Sequence, residues 1–180
     1  KPNVNRLAYS ILFEMDEEAN MLDYIIKKTV IHSDMRFTYK TAQDVIDNKE
    51  GKLATELLLL DKLSRLLRKR RQEKGSINFE STEVKFILDK NNNPIDVYFK
   101  ESLSTNHLIE EFMLLANKTV AKHIGFPKNP AKTFVYRVHD VPDNDRIATL
   151  NNIVKKFGHT INNTSTNKLS SSLNHLLKSV

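Results

Sequence analysis

Alternating apolar and polar residues open the chain and predict a β-hairpin. Apolar side chains recur at every second position from Leu7 to Met15, and the alternation returns from Leu22 to about Ile31 after an acidic and polar stretch. A period of two is typical of strands that bury one face. The same pattern at Val84–Leu88 and Ile95–Phe99, on either side of the turn-forming run at 89–94, predicts a second hairpin.

Apolar residues at three- and four-residue spacing predict two helices before the second hairpin and one after it. Thr38 stands at an N-cap position before a short helix that stops near Asn48 and Gly51. A leucine stripe beginning at Leu53 predicts a long helix that Gly75 terminates. Residues 107–122 carry a wide apolar arc, which indicates a largely buried helix.

The last fifty residues are predicted to hold a short strand and two more helices. The strand covers Phe134–Val138, one helix is capped by Asp143 or Asn144 and runs to Phe157, and Asn167 caps the last helix. The chain is therefore predicted to be a single α+β domain over residues 1–180, in which two β-hairpins and a short strand pack with about five helices.

Composition and charge narrow the class of protein. The 180 residues include 28 Lys and Arg against 22 Asp and Glu, a formal charge of +6, and no cysteine. A chain without cysteine has no disulfide framework and no thiolate site, which fits a reducing cytosol. We find no apolar run near the roughly 20 residues that a membrane-spanning helix needs, so no membrane partner is expected.

Few residue patterns indicate catalysis. Asp89, Asn91 and Asn93 resemble the start of a calcium loop, but Pro94 and Lys100 stand where a glycine and a bidentate glutamate are required, so a turn is predicted instead. No histidine pair has the spacing of a helical zinc site, and no glycine-rich phosphate loop occurs. The residues by themselves reveal no catalytic centre.

A basic cluster on the long predicted helix is the strongest chemical feature of the residue pattern. It consists of Arg65, Arg68, Lys69, Arg70 and Arg71. Closely spaced guanidinium and ammonium groups can follow a phosphate backbone. A solvated helix face is an equally good interpretation, because long helices often need one for solubility.

Four segments in order resemble the middle of the catalytic RNB domain of the ribonuclease II and ribonuclease R family. They are Ile31–Tyr39 (IHSDMRFTY), Leu63–Phe79 (LSRLLRKRR through GSINF), Leu108–Asn117 (LIEEFMLLAN) and Tyr136–His139 (YRVH) followed by Pro142. The resemblance runs from about Asn5 to the C-terminus. It implies a processive 3′→5′ exoribonuclease that hydrolyses single-stranded RNA to nucleoside 5′-monophosphates in the cytoplasm.

In that family the Mg²⁺ ions are held by aspartates upstream of the matching segments, and a catalytic arginine motif lies downstream. The resemblance therefore implies that this chain is an internal portion of the catalytic domain. We expect it to be inactive alone and to bind no metal, with no catalytic residue of its own. Single-stranded RNA is the expected partner, and no obligate protein partner is evident.

Three residues match RNA contacts of the family by position. Tyr39 and Glu110 match residues that contact the terminal ribose, and a phenol and a carboxylate suit a 2′-hydroxyl that both donates and accepts. Phe79 matches an aromatic residue that stacks on bases near the 3′ end. A shift of one residue would make Glu111 the match in place of Glu110.

Two other functions remain open from the sequence. The same basic and aromatic surface suits a non-catalytic RNA-binding domain. If the basic, aromatic and acidic residues named above serve only the fold and its solubility, the chain is an interaction module with no nucleic-acid role.

Overall fold

Five helices and two antiparallel sheets make up the described parts of the chain. A computed structural model describes residues 3–77, 83–100, 102–126 and 132–179. In chain order the elements are β1 (Arg6–Met15), β2 (Met21–Ile31), α1 (Tyr39–Asn48), α2 (Ala54–Glu73), β3 (Glu83–Leu88), β4 (Pro94–Lys100), α3 (Ser104–Gly125), α4 (Asn144–Lys155) and α5 (Thr166–Ser179). The α+β class and both predicted hairpins are confirmed.

The first hairpin pairs β1 with β2 in an antiparallel register that places Ile11 opposite Ile26. The carboxylate of Asp16 closes the turn, accepting hydrogen bonds of 2.7 Å from both the backbone and the side-chain amide of Asn20. Ala19 adopts a left-handed φ of 61° in this turn and is buried. Local polar chemistry thus ends β1 where the acidic stretch begins.

The second hairpin turns at Asp89, as the sequence predicts. Its Oδ1 accepts hydrogen bonds from the backbone N–H groups of Asn91 (2.7 Å) and Asn93 (2.9 Å). Hydrogen bonds from the backbone and side chain of Asn93, and then from the backbone of Asn91, lower the pKa of Asp89 because they favour its ionised form. The carboxylate therefore organises a tight turn.

The chain divides into two compact units. The first comprises Lys1–Arg68 and Ser102–Phe134, and the second Lys69–Glu101 and Val135–Val180. In the first unit α1 packs on α3. Its buried apolar side chains are Ala19, Ala42, Ile46, Leu63 and Leu108.

The core of the second unit is a cluster of apolar side chains from α4, α5 and the connection between them. Its buried members are Val154, Ile161 and Leu169, and the partly buried Ile147, Leu173 and Leu176 pack against them. The side-chain oxygen of Asn151 accepts a hydrogen bond of 2.9 Å from the backbone N–H of Ile161. This bond satisfies the connection's backbone where it enters the core.

Three helix starts were predicted from capping residues, and two are confirmed. Thr38 caps α1 through its hydrogen bond with the backbone of Thr41, and Asp143, not Asn144, caps α4. The prediction for α5 is wrong, because Asn167 lies inside the helix. Ser165 precedes that helix instead, and its Oγ accepts a hydrogen bond of 3.3 Å from the N–H of Lys168.

The predicted short strand at Phe134–Val138 is not found. Within the described part of the chain, residues 132–143 belong to neither sheet, and the side chains of Val135 and Val138 are exposed. Apolar alternation forms a strand only where a neighbouring edge supplies hydrogen-bond partners. Across the described ranges, no helix combines the length and hydropathy needed to cross a membrane.

Candidate nucleic acid interface

Tyr39 is the first residue of α1, and its side chain is half exposed. The capping box of Thr38 and Thr41 fixes where this helix begins. The backbone carbonyl of Tyr39 accepts a hydrogen bond of 3.0 Å from the hydroxyl of Thr105, which is buried near the start of α3. The backbone of Tyr39 is therefore tied to α3 while its phenol ring remains accessible.

Gln43 provides a second link between the same two helices. Its side-chain oxygen accepts hydrogen bonds from the hydroxyl of Ser104 (3.0 Å) and from the backbone N–H of Thr105 (3.2 Å). The first N–H groups of a helix have no partner within the helix, and the N-cap residue Leu103 has no side-chain acceptor to offer. A side chain of α1 thus caps α3.

Glu110 lies on α3, in its second turn. The helix begins at Ser104, three residues before the predicted start, so the dipole of a first turn does not explain this glutamate. The Glu110 side chain is 45% exposed, whereas that of Glu111 is only 3% exposed. Glu110 shares an exposed helix face with Met113. Of the two glutamates, Glu110 is the one whose carboxylate is accessible to a ligand.

Arg68 extends from α2 towards these glutamates. Its Nη1 atom lies 3.0 Å from Nδ1 of His107, 3.5 Å from Oε2 of Glu110 and 3.9 Å from Oε1 of Glu111. The Arg68 side chain is only 17% exposed. The sequence predicts Arg68 as a phosphate contact, but the structure directs it to carboxylates of the same chain.

The other members of the basic cluster lie in different surroundings. In the first unit, Nε of Arg65 forms an ion pair of 2.7 Å with Oδ2 of Asp61. In the second unit, Lys69 is exposed, whereas Arg70 and Arg71 are partly buried. The predicted stacking residue, Phe79, lies outside the described residues. The helix therefore presents cations of unequal accessibility.

The family resemblance implies Mg²⁺ in the parent protein, held by aspartates outside this chain. Across the described ranges, no group of three or more histidine, aspartate or glutamate side chains has the geometry to hold a metal ion. Two-metal catalysis requires such ligands on both ions. We therefore derive no catalytic step from this part of the protein.

Sequence reasoning missed the long-range contacts that arrange this surface. Gln43 and Thr105 are separated by 62 positions, and Arg68 and His107 by 39. Because both contacts join residues far apart in the sequence, the spacing of apolar residues cannot predict them. One signal was available in the sequence. Leu103 has no side-chain acceptor, so the first backbone N–H groups of α3 need an acceptor from elsewhere.

Sequence comparisons find relatives of this chain among known proteins. The sequence matches the RNB domain over residues 1–180. It is 39% identical over 160 residues to the exosome complex exonuclease dis3 of Schizosaccharomyces pombe, covering 86% of this chain and 16% of that protein. It is 33% identical over 167 residues to ribonuclease R of Aquifex aeolicus, covering 89% of this chain and 23% of that protein.

A solved structure shows the same fold. The RNase R of Mycoplasma genitalium in complex with double-stranded RNA aligns with a TM-score of 0.84 at 24% identity, over 97% of this chain and 32% of that chain. This chain thus spans less than a third of the length of each of these three proteins. The full-length sequence match and the shared arrangement of helices and hairpins establish that the chain belongs to the RNB domain family.

Proposed function

We propose that the chain is an internal portion of the catalytic domain of a 3′→5′ exoribonuclease. The parent protein hydrolyses single-stranded RNA processively to nucleoside 5′-monophosphates, with Mg²⁺ held by residues outside this chain. The observation that carries the proposal is the RNB match over all 180 residues, with relatives that are named exonucleases. We place the parent protein in the cytoplasm, as the family resemblance implies, and the lack of cysteine is compatible with this.

In this proposal the junction of α1 and α3 contacts the terminal ribose of the RNA. Tyr39 supplies a phenol and Glu110 a carboxylate, and both side chains are accessible. A 2′-hydroxyl can donate to the carboxylate and accept from the phenol, whereas DNA has no such group. The exposed position of Glu110, compared with the buried Glu111, supports the assignment of the carboxylate to Glu110.

The remaining predicted contacts have separate roles in the proposal. Phe79 stacks on bases near the 3′ end, which needs only a flat apolar face. Among the basic residues, Lys69 and Arg65 are exposed, and Lys69 is the better placed to meet phosphate because Arg65 is paired with Asp61. Arg65, Arg70 and Arg71 add positive charge along the same helix.

The test uses the full-length protein that contains this chain and an oligoribonucleotide labelled at its 5′ end. We expect progressive shortening from the 3′ end with release of nucleoside 5′-monophosphates, dependent on Mg²⁺ and blocked by EDTA. RNA binding without shortening would instead establish the non-catalytic RNA-binding domain. Neither binding nor shortening would leave the interaction module as the function.

A further inference from the structure

Arg68 connects a buried carboxylate with an exposed one. The Glu111 side chain is 3% exposed and that of Glu110 45% exposed, and Nη1 of Arg68 lies within 3.9 Å of an oxygen of each. All three residues belong to the first compact unit. The Arg68 guanidinium therefore links a carboxylate in the interior of the unit to one on its surface.

The interaction with His107 shows which group provides the positive charge. A guanidinium has only donors, so Nη1 of Arg68 donates to Nδ1 of His107 over 3.0 Å. The ring then carries its proton on Nε2, which lies 3.3 Å from the hydroxyl oxygen of Ser102. A histidine in this tautomer is neutral. Arg68, rather than His107, is therefore the cation beside Glu110.

The buried glutamate explains why Arg68 stays in place. An ionised carboxylate removed from water is costly unless it is paired and hydrogen-bonded. The Glu111 carboxylate thus favours a position of the Arg68 guanidinium next to α3 and away from solvent. Holding the guanidinium in place limits the rotamers of the other side chains that it contacts. The same Nη1 atom lies 3.5 Å from Oε2 of Glu110, so the Glu110 carboxylate is restricted in this way.

We propose that Arg68 is a positioning residue that orients the Glu110 carboxylate for the ribose 2′-hydroxyl and so sets the preference for RNA over DNA. The proposal rests on the function proposed above for Glu110. The guanidinium lies 3.5 Å from Oε2 of Glu110 and so restricts where this carboxylate, an acceptor for the donating 2′-hydroxyl, can point. Arg68 does not contact RNA phosphate.

The experiment measures sugar preference in the full-length protein. The substrates are an all-RNA strand and the same strand with one 2′-deoxy residue near its 3′ end. The variants are Arg68→Gln, Glu110→Ala and the double variant, and the readout is the ratio of kcat/KM for the two substrates. Salt dependence of RNA binding is measured in parallel for Arg68→Gln.

We expect Arg68→Gln to lower the RNA preference roughly three- to tenfold, the range for one hydrogen bond to a charged group that is partly lost. The loss falls on the all-RNA substrate, because only that substrate uses Glu110. The double variant should match Glu110→Ala alone, since Arg68 acts through Glu110. The salt slope should stay unchanged, whereas loss of a phosphate contact would lower it by about 0.7.

Two further variants separate positioning from general support of the fold. Glu111→Gln removes the charge that lies 3.9 Å from Nη1 of Arg68, so we expect part of the RNA preference to be lost, and no more than in Arg68→Gln. Arg146→Gln removes an arginine that is 90% exposed and pairs with Asp143. This matched change should leave the preference as in the wild type.

Arg68→Lys covers the case in which Arg68→Gln does not fold. Lysine keeps the charge beside Glu111 but lacks the planar fork, so we expect a folded protein with reduced RNA preference.

The proposal is overturned if the Arg68 variants lose activity on both substrates equally with a flatter salt slope, which would identify a phosphate contact. It is also overturned if the double variant loses clearly more of the RNA preference than Glu110→Ala alone, which would show that Arg68 does not act through Glu110. Both outcomes presuppose an active wild type. An inactive wild-type protein would instead refute the proposed exoribonuclease function.

Discussion

The hydroxyl of Thr105 donates a hydrogen bond to the backbone carbonyl of Tyr39 across 3.0 Å, joining the start of α3 to the start of α1. Tyr39 carries the phenol that we assign to the ribose. Glu110, which carries the carboxylate, follows Thr105 by five positions on the same helix. One buried threonine therefore joins the two helices that carry the proposed ribose contacts.

Replacing that threonine should loosen α1. Thr105→Val keeps the shape of the side chain but removes the donor, and one lost hydrogen bond lowers the local opening free energy by about 0.5–1.5 kcal/mol. Hydrogen exchange of the α1 amides in the full-length protein should become faster. Thr149→Val is the matched control, because the exposed Thr149 hydroxyl donates only within α4, to the carbonyl of Asp145. Unchanged exchange in Thr105→Val would show that the bond does not hold α1.

Tyr39 and Glu110 should contribute to sugar preference as one network. Tyr39→Phe and Glu110→Ala each remove a partner of the 2′-hydroxyl, so cleavage of RNA should fall while DNA binding stays nearly constant. The two effects should be non-additive, because the residues share one hydroxyl. To measure this non-additivity, the two single variants and the double variant are tested for cleavage of an all-RNA strand and of a strand with a single 2′-deoxy residue. Equal losses on both substrates would assign the residues to the fold or to general binding.

Replacing Lys69 should change the salt dependence of RNA binding, whereas replacing Arg68 should not. Lys69→Gln in the full-length protein should lower the slope of log K against log salt by about 0.7, the value for one phosphate on a single strand. The control is Lys155→Gln, an exposed lysine at the end of α4. A Lys69→Gln slope equal to that of the wild type would identify this part of α2 as a solvated helix face.

The turn of the second hairpin should depend on pH. The pKa of Asp89 is lowered from its ordinary value of 3.8 by hydrogen bonds from Asn93 and Asn91. A lowered pKa stabilises the folded turn above the ordinary value, and this contribution is lost as pH falls through the lowered pKa. Amide exchange at Asn91 and Asn93 should therefore lose protection in acid, relative to Asp89→Asn at each pH. Parallel pH profiles for the two proteins would contradict this.

The isolated 180-residue chain should release no nucleotides from single-stranded RNA. The described residues hold no group with the geometry of a metal site, and two-metal hydrolysis needs ions about 3.5–4 Å apart. A labelled oligoribonucleotide incubated with and without Mg²⁺ measures this, with the full-length protein as the positive control. Mg²⁺-dependent release that persists after repurification would show that the prediction is wrong.

Local sequence determined most of the secondary structure of this protein. The alternation from Leu7 and the leucine stripe from Leu53 each specify an element, because periods of two and of three to four place apolar side chains on one face. Thr38 and Asp89 specify a helix start and a turn, because each side chain bonds to backbone within a few residues. The family was also readable, since its segments occur in order along the chain.

Tertiary structure decided the surroundings of each candidate residue. Arg68 and Lys69 are adjacent basic residues in the sequence, yet one is largely buried beside carboxylates and the other is exposed. Glu110 and Glu111 likewise differ only in which side of α3 they occupy. Burial and long-range pairing depend on which helices meet, and a contact such as Thr105 with Tyr39 spans 66 positions. No local pattern encodes such a contact, because it exists only once both helices have packed.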